Sequence, residues 1–213
     1  LTIAESLNVR SGGILITSSS MATGISGGRL SASVGTGIGT ATTANAGDNE
    51  LKITHDGASN FTIDSRIVRL NDSNGSVDIT KSGNGTLTLS GVNYTAAANT
   101  SNTNSGTVRL NQGILIAAGG RAISDASNVS LENRPGVFLQ LNASEGIGGL
   151  TGGGADGGTV AMGANTLTMN VGSSQTFSGI ITGSGSLIKN NLGINQGLRI
   201  EIIKAGSHDF RPE

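Results

Sequence analysis

Gly85-Thr86-Leu87-Thr88-Leu89 is one short strand in five residues, and the chain repeats it. Gly75-Ser76-Val77-Asp78-Ile79, Gly106-Thr107-Val108-Arg109-Leu110 and Gly158-Thr159-Val160-Ala161-Met162 keep the same order: glycine, small hydroxyl residue, aliphatic, any residue, aliphatic. Gly185-Ser186-Leu187 begins a fifth copy that breaks at Lys189. A pattern that returns along a chain marks a repeat architecture, in which each unit buries its apolar face against its neighbours.

Around these copies, alternation with the period of a strand recurs and helical periodicity is scarce. Glu50-Leu51-Lys52-Ile53-Thr54, Phe61-Thr62-Ile63-Asp64 and Thr166-Leu167-Thr168-Met169 alternate polar with apolar residues, which sends one set inward and the other to solvent. Val137, Leu139 and Leu141 share a face in the same way. Ile14-Leu15-Ile16 and Ile114-Leu115-Ile116 are continuous apolar runs and predict strands covered on both sides. The one helix candidate is Ile123-Ser124-Asp125-Ala126, weakened by the glycine pair before it. Turns are rich in Gly and Asn: Asn74-Gly75, Asn84-Gly85, Gly119-Gly120, Gly148-Gly149 and Gly152-Gly153-Gly154. Asn-Gly tolerates positive φ and suits sharp corners, but also hairpins, so antiparallel pairing stays open. Spacing favours a coil. Gly85 and Gly106 lie 21 positions apart, near one turn of a three-sided coil, and Gly158 and Gly185 lie 27 apart, a turn with an inserted loop.

Composition supports thin stacked layers over a bulky core. Glycine fills 35 of 213 positions, roughly twice the ordinary share of about 7%. Aromatic residues are 2% and charged residues 13%, with two prolines and no cysteine. Ordering one residue of backbone costs about 1–2 kcal/mol and burying one aliphatic side chain returns about 1.5–3. A stack of coils meets that cost with few aliphatics per layer, because the backbone of each layer bonds to the next. Low net charge and frequent β-branched residues argue against disorder. A formal net charge of −1 lacks the basic character that nucleic acid requires. No apolar run reaches the 18 or more residues of a membrane helix. Lack of cysteine fits a cytosolic protein, and equally a bacterial exported one. Starting at Leu1 without a charged-then-apolar leader, the sequence reads as an internal segment of something longer.

Residues 1–191 are expected to form the solenoid, with the clearest repeats at 49–191. Val34 to Asp48 and Tyr94 to Gly106 are expected as two longer loops, the second of low complexity. Residues 192–213 should form a terminal strand at Arg199-Ile200-Glu201-Ile202 and then a polar tail that frays.

Ile79-Thr80-Lys81-Ser82-Gly83-Asn84-Gly85-Thr86-Leu87-Thr88-Leu89-Ser90-Gly91 resembles the autotransporter-associated β-strand repeat, also called the passenger-associated transport repeat: a lysine, a small residue, two spaced glycines, then alternating Thr and Leu. Ile147 to Gly154, with Gly163-Ala164-Asn165-Thr166-Leu167-Thr168, looks like the next piece of the unit, and Phe177-Ser178-Gly179-Ile180-Ile181 with Gly183 to Lys189 like its restart. The resemblance implies an all-β, right-handed parallel β-helix in the exported passenger of a large bacterial surface protein. Roughly ten rungs would account for the chain. After Tyr94 the sequence departs from the repeat with its Ala/Asn/Thr/Ser tract. Nothing in it matches the amphipathic strands of a membrane barrel.

Motifs with chemical potential read better as architecture. Gly24-Ile25-Ser26-Gly27-Gly28 fits the G-x-S-x-G nucleophile elbow, but no helix follows and His55 and His208 are the only histidines; a turn into a strand at Leu30 is the simpler reading. Asp48, Glu50, Asp56, Asp64, Asp72 and Asp78 form the densest run of acids. Two of them in one cleft would suit polysaccharide cleavage, and solvated faces and turns would suit them otherwise. Thr151 to Gly158 has one Asp, too few carboxylates for calcium, and Gly35-Thr36-Gly37-Ile38-Gly39 has no helix after it to hold phosphate. Thr86-Leu87-Thr88 and Thr166-Leu167-Thr168 are too few for an ice-binding array. Asn-x-Ser/Thr triplets such as Asn93-Tyr94-Thr95 suit stacked Asn ladders.

The sequence therefore predicts a non-catalytic stalk of a bacterial surface or secreted autotransporter-like protein, with no catalytic, cofactor or metal residues. Leu87, Leu89, Ile116, Leu139, Leu167, Met169 and Leu187 should form its inward stack. Its expected partners are neighbouring rungs of the parent protein and host-surface, glycan or matrix ligands, and its place is extracellular or on the cell surface. The alternatives are a β-helical polysaccharide lyase or hydrolase using the acids from Asp56 to Asp78, or a glycan-binding adhesin.

Overall fold

The computed structural model describes residues 1–9, 12–18, 23–32, 50–67, 77–91, 106–170 and 174–190, together with the backbone of Arg199–Ile200. A first coil holds β1 (Ser6–Asn8), β2 (Gly13–Ile16) and β3 (Gly24–Ile25). The second holds β4 (Arg29–Ser31), β5 (Glu50–His55) and β6 (Phe61–Ile63), the third β7 (Arg66–Ile67), β8 (Asp78–Ser82) and β9 (Thr86–Leu89). Two coils follow with β10 (Val108–Leu110) and β11 (Ile114–Ala117), then β12 (Asn128–Leu131) and β13 (Phe138–Leu141). Next come β14 (Glu145–Ile147), β15 (Gly149–Gly152) and β16 (Thr159–Gly163), then β17 (Leu167–Met169), β18 (Thr176–Phe177) and β19 (Ile180–Gly183). β20 (Leu187–Lys189) and β21 (Arg199–Ile200) start the last.

Each strand pairs with its counterparts in adjacent coils. One face is the eight-stranded sheet β2-β5-β8-β10-β12-β15-β18-β21, the second the seven-stranded sheet β3-β6-β9-β11-β13-β16-β19. The third position in the coil carries two short sheets, β1-β4-β7 and β14-β17-β20. Every strand pairing among the described residues is parallel, and the single antiparallel bridge, Gly154 to Gly157, lies outside the strands. Parallel neighbours need a long return path. Here the other two faces supply it, where most folds use a helix. The result is an all-β parallel solenoid, and no two strands among the described residues pair as a hairpin.

Register turns alternation into a core. Leu51, Ile79, Val108, Val129 and Leu150 stand in one column on the eight-stranded face, and Phe61, Leu87, Leu115, Leu139 and Val160 in one column on the seven-stranded face. All are buried. Of the expected inward stack, Leu87, Leu89, Leu139, Leu167 and Met169 are buried, and Leu187 is half-buried against the core.

Several expectations change. From β2 to β18 the chain completes six turns and the longest sheet has eight strands, fewer than roughly ten rungs. Ile116 points outward, half-buried, while its neighbours Leu115 and Ala117 are enclosed. Ile-Leu-Ile carries no alternation of its own, so its facing comes from the corners on either side. The apolar runs are consequently covered on one side, and Leu15 is 68% exposed. Gly85 and Gly106 are not one turn apart: they precede β9 and β10, on different faces. One turn after Thr86 comes Ile114, and one turn after Thr159 comes Ile180 rather than the Gly185 copy. The five copies mark a glycine corner followed by a strand, wherever in the coil that occurs.

At Asn84-Gly85 the positive φ belongs to Gly83, at +78°. A Cβ on Gly83 would also strike the backbone oxygen of His55 one coil away, so both conformation and close approach call for glycine. Ile123 to Ala126 is a turn, closed by Ser127 N–H donating to Ser124 O at 2.9 Å. The loops expected at Val34 to Asp48 and Tyr94 to Ser105, and the tail beyond Ile200, lie outside the described residues.

These facings predict the cost of substitution. Leu115→Ala should lower the free energy of unfolding by about 2–5 kcal/mol and Ile116→Ala by less than about 1, as read from urea denaturation. Leu167→Asp should cost several kcal/mol, roughly 3 or more, through an unpaired buried charge. Unchanged thermal unfolding of that variant would contradict an inward Leu167.

Candidate functional site

Acids in the Asp48–Asp78 run are spread over faces and corners. Glu50 and Asp78 are register neighbours on the outer side of the eight-stranded face. Glu50 pairs with Lys52 at 3.2 Å and accepts from the Thr80 hydroxyl. Asp78 accepts Thr107 N–H at 2.8 Å and pairs with Arg109 at 2.7 Å. Asp56 accepts Asn84 N–H at 3.2 Å, and Asp64 the Ser90 hydroxyl at 3.1 Å. Apart from the Glu50–Lys52 pair, each of these bonds ties one coil to the next. Asp48 and Asp72 lie outside the described residues. Ser26 sits in the turn between β3 and β4, its backbone paired with Leu1 and Ile3, and the chain runs on into a strand at Leu30. Asp156, in the Gly-rich segment, caps Asn133 of the preceding coil. Gly35 to Gly39, Asn93 and His208 lie outside the described residues. Among those described, no three His, Cys, Asp or Glu side chains are grouped to hold a metal.

Among the described residues, the ionisable side chains of Lys81 and Glu145 lie inside the solenoid, where alternation places them: Lys81 follows Ile79 at the inward parity, and Glu145 precedes Ile147. Lys81 stands between Ile53 and Leu110 in an aliphatic column and is fully enclosed. Its ammonium donates to the carbonyls of Ser82 at 2.9 Å, Gly83 at 2.6 Å and Gln112 at 3.1 Å, at the corner where the strand ladder ends. Burial lowers its pKa to about 8, opposed by the Asp56 carboxylate. Glu145 accepts the N–H groups of Ala122 and Ile123, both at 3.2 Å. Those donors belong to the turns of the previous coil, where no strand covers the third face. Burial raises the Glu145 pKa to about 7; the two N–H donors lower it and Asp125 adds to the rise. His55 is buried at the same corner as Lys81, one coil earlier: its Nδ1 accepts Gly57 N–H at 3.1 Å and its Nε2 lies 2.7 Å from Ser59 O. All three side chains are committed to backbone groups.

A concave feature lies on the third face, an open groove of about 450 Å³ above Glu145. Its floor holds the outward register neighbours Gly146 and Thr168, and Ile188 continues that column just beyond it. A Cβ on Gly146 would collide with the Asp125 carboxylate, which reaches across from the turn below. Ser144 and Thr166 form one rim, joined by Thr166 N–H donating to Ser144 Oγ at 3.0 Å. The other is a ladder: Asn190 Nδ2 donates to Asn170 Oδ1 at 3.0 Å, and Asn170 Nδ2 to Asp125 O at 3.3 Å. Sequence reasoning anticipated Asn ladders and the outward Thr166 and Thr168, but not their convergence with Asp125.

Among curated proteins, the chain is 32% identical over 154 residues to the adhesin BmaC autotransporter of Brucella suis biovar 1 (strain 1330). The alignment covers 71% of this chain and 4% of that protein. Joined to the parallel solenoid, that likeness decides the reading. The chain fits a segment of an autotransporter passenger. No protein-family model matches it, and no solved structure does.

For a passenger segment, the buried Glu145 is a pH-sensitive tie between coils. Its pKa is raised from 4.5 to about 7 in the folded chain, so between those values the folded state holds more protons than the unfolded one. The stability it contributes is full below about pH 4.5 and is lost as pH rises through about 7. Melting temperature measured from pH 4.5 to 7.5 should carry this downward component, and Glu145→Gln should flatten it. An identical slope in parent and variant would show that Glu145 does not titrate there.

Proposed function

We propose that this chain is a non-catalytic stalk of a bacterial surface or secreted autotransporter-like protein, holding interaction surfaces away from the cell. The observation that carries the reading is continuity: aliphatic columns run through successive coils while the acids bridge coils from outside. At about 4.8 Å per coil, the six turns from β2 to β18 rise roughly 29 Å. Parallel coils packed through aliphatic columns resist bending and leave the outer faces free to vary. Likeness to an adhesin supports an adhesive setting, and the passenger character supports display outside the cell.

Proteinase treatment of intact cells carrying the parent protein should remove this segment; survival until lysis would contradict surface display. Incubation of the chain with neutral and acidic glycans should release no new reducing or unsaturated ends. A reproducible activity abolished by Asp64→Asn would replace the stalk with an enzyme.

A further inference from the structure

Among the described residues, the third-face groove is a concave, polar stretch of the outer surface. On the other two faces and their corners, several outward side chains meet a side chain of the neighbouring coil: Glu50 meets Thr80, Thr88 meets Asn60, Asn84 meets Gln112. At Gly146 the outward column has no side chain of its own, and the Asp125 carboxylate from the turn below occupies that space. What remains is polar and short. Thr166 and Thr168 offer hydroxyls, and the Asn170–Asn190 ladder offers amide groups, which both donate and accept. Asp125 presents a carboxylate at the lower end, and Ile188, the next outward residue after Thr168 in register and 45% exposed, flanks the groove as an apolar step.

We infer that this groove binds a neutral oligosaccharide. Sugar hydroxyls donate and accept at once, as do the Thr and Asn groups lining the groove, and the apolar face of a sugar ring can rest against the exposed Ile188 that flanks it. The lining includes two acids, Asp125 and Glu145, and no cationic side chain, so sialylated, sulfated or uronic glycans meet repulsion without a counter-charge. Asp125 is suited to accept a pair of hydroxyls from the sugar at its end. The inference goes beyond the stalk reading and does not depend on it: a groove that bound nothing would leave a stalk intact.

The test is an array of immobilised neutral oligosaccharides of glucose, galactose, mannose and N-acetylhexosamines, with sialylated and sulfated counterparts, probed with the full chain. Hits are then titrated in solution. Expected is retention of at least one neutral glycan, with its anionic counterpart at least tenfold weaker. Thr168→Val and Asn190→Ala each remove groove hydrogen bonds and should weaken binding about tenfold. Thr62→Val, on the outer side of the seven-stranded face, should leave it unchanged. Each variant should melt with the parent, so lost binding is not lost fold; one that does not is replaced by Thr166→Val. No neutral glycan retained, a preference for anionic glycans, or groove variants that bind like the parent would each overturn the assignment.

Discussion

Everything in this molecule depends on coils lying parallel and in register. Only then does the backbone of each coil find its hydrogen-bond partners above and below, and only then do the inward aliphatics of successive coils meet. Leu51, Ile79, Val108, Val129 and Leu150 are modest side chains separately, but register makes them one column. That arrangement lets a chain with 2% aromatic residues form a dry interior, since no single layer must enclose a large core.

The same constraint explains the exceptions. A strand ladder satisfies its own backbone groups, but corners and gaps in the third face do not. Lys81 and Glu145 sit where that satisfaction lapses, one donating to three carbonyls and the other accepting two N–H groups. A buried charge is tolerable when hydrogen bonds replace its hydration, and here the backbone supplies them. The groove has a related origin. The coil holding β12 and β13 crosses the third position in turns, and Gly146 leaves the strand above it without an outward side chain, so Asp125 reaches across into that space.

Strands were readable because alternation is a local signal. Val137-Phe138-Leu139-Gln140-Leu141 and Phe61-Thr62-Ile63 face as their residues alternate, with Phe138 outward. Where alternation fails, as in Ile114-Leu115-Ile116, the residues hold no parity and the corners decide it. The spacing of the repeated copies misleads for another reason: the glycine-then-strand signature serves at any corner, so two copies need not share a face. Lys81 and Glu145 were legible in principle, since each shares inward parity with an isoleucine two residues away. The acid run drew attention by its density, but density along a chain says little about convergence when every third of a coil turns a corner.

By itself the sequence determined that this chain is a stack of short strands with glycine corners and aliphatic inward positions, because strand alternation and corner chemistry act within a few residues. It also pointed to the passenger repeat through Lys81-Ser82-Gly83-Asn84-Gly85. Only the tertiary structure decided which strands share a face, how many turns the stack makes, and that Asp125, Thr168 and Asn190 from three coils border one groove. Those are matters of register between coils about 20 or more residues apart, and register is set by how whole coils seat on one another.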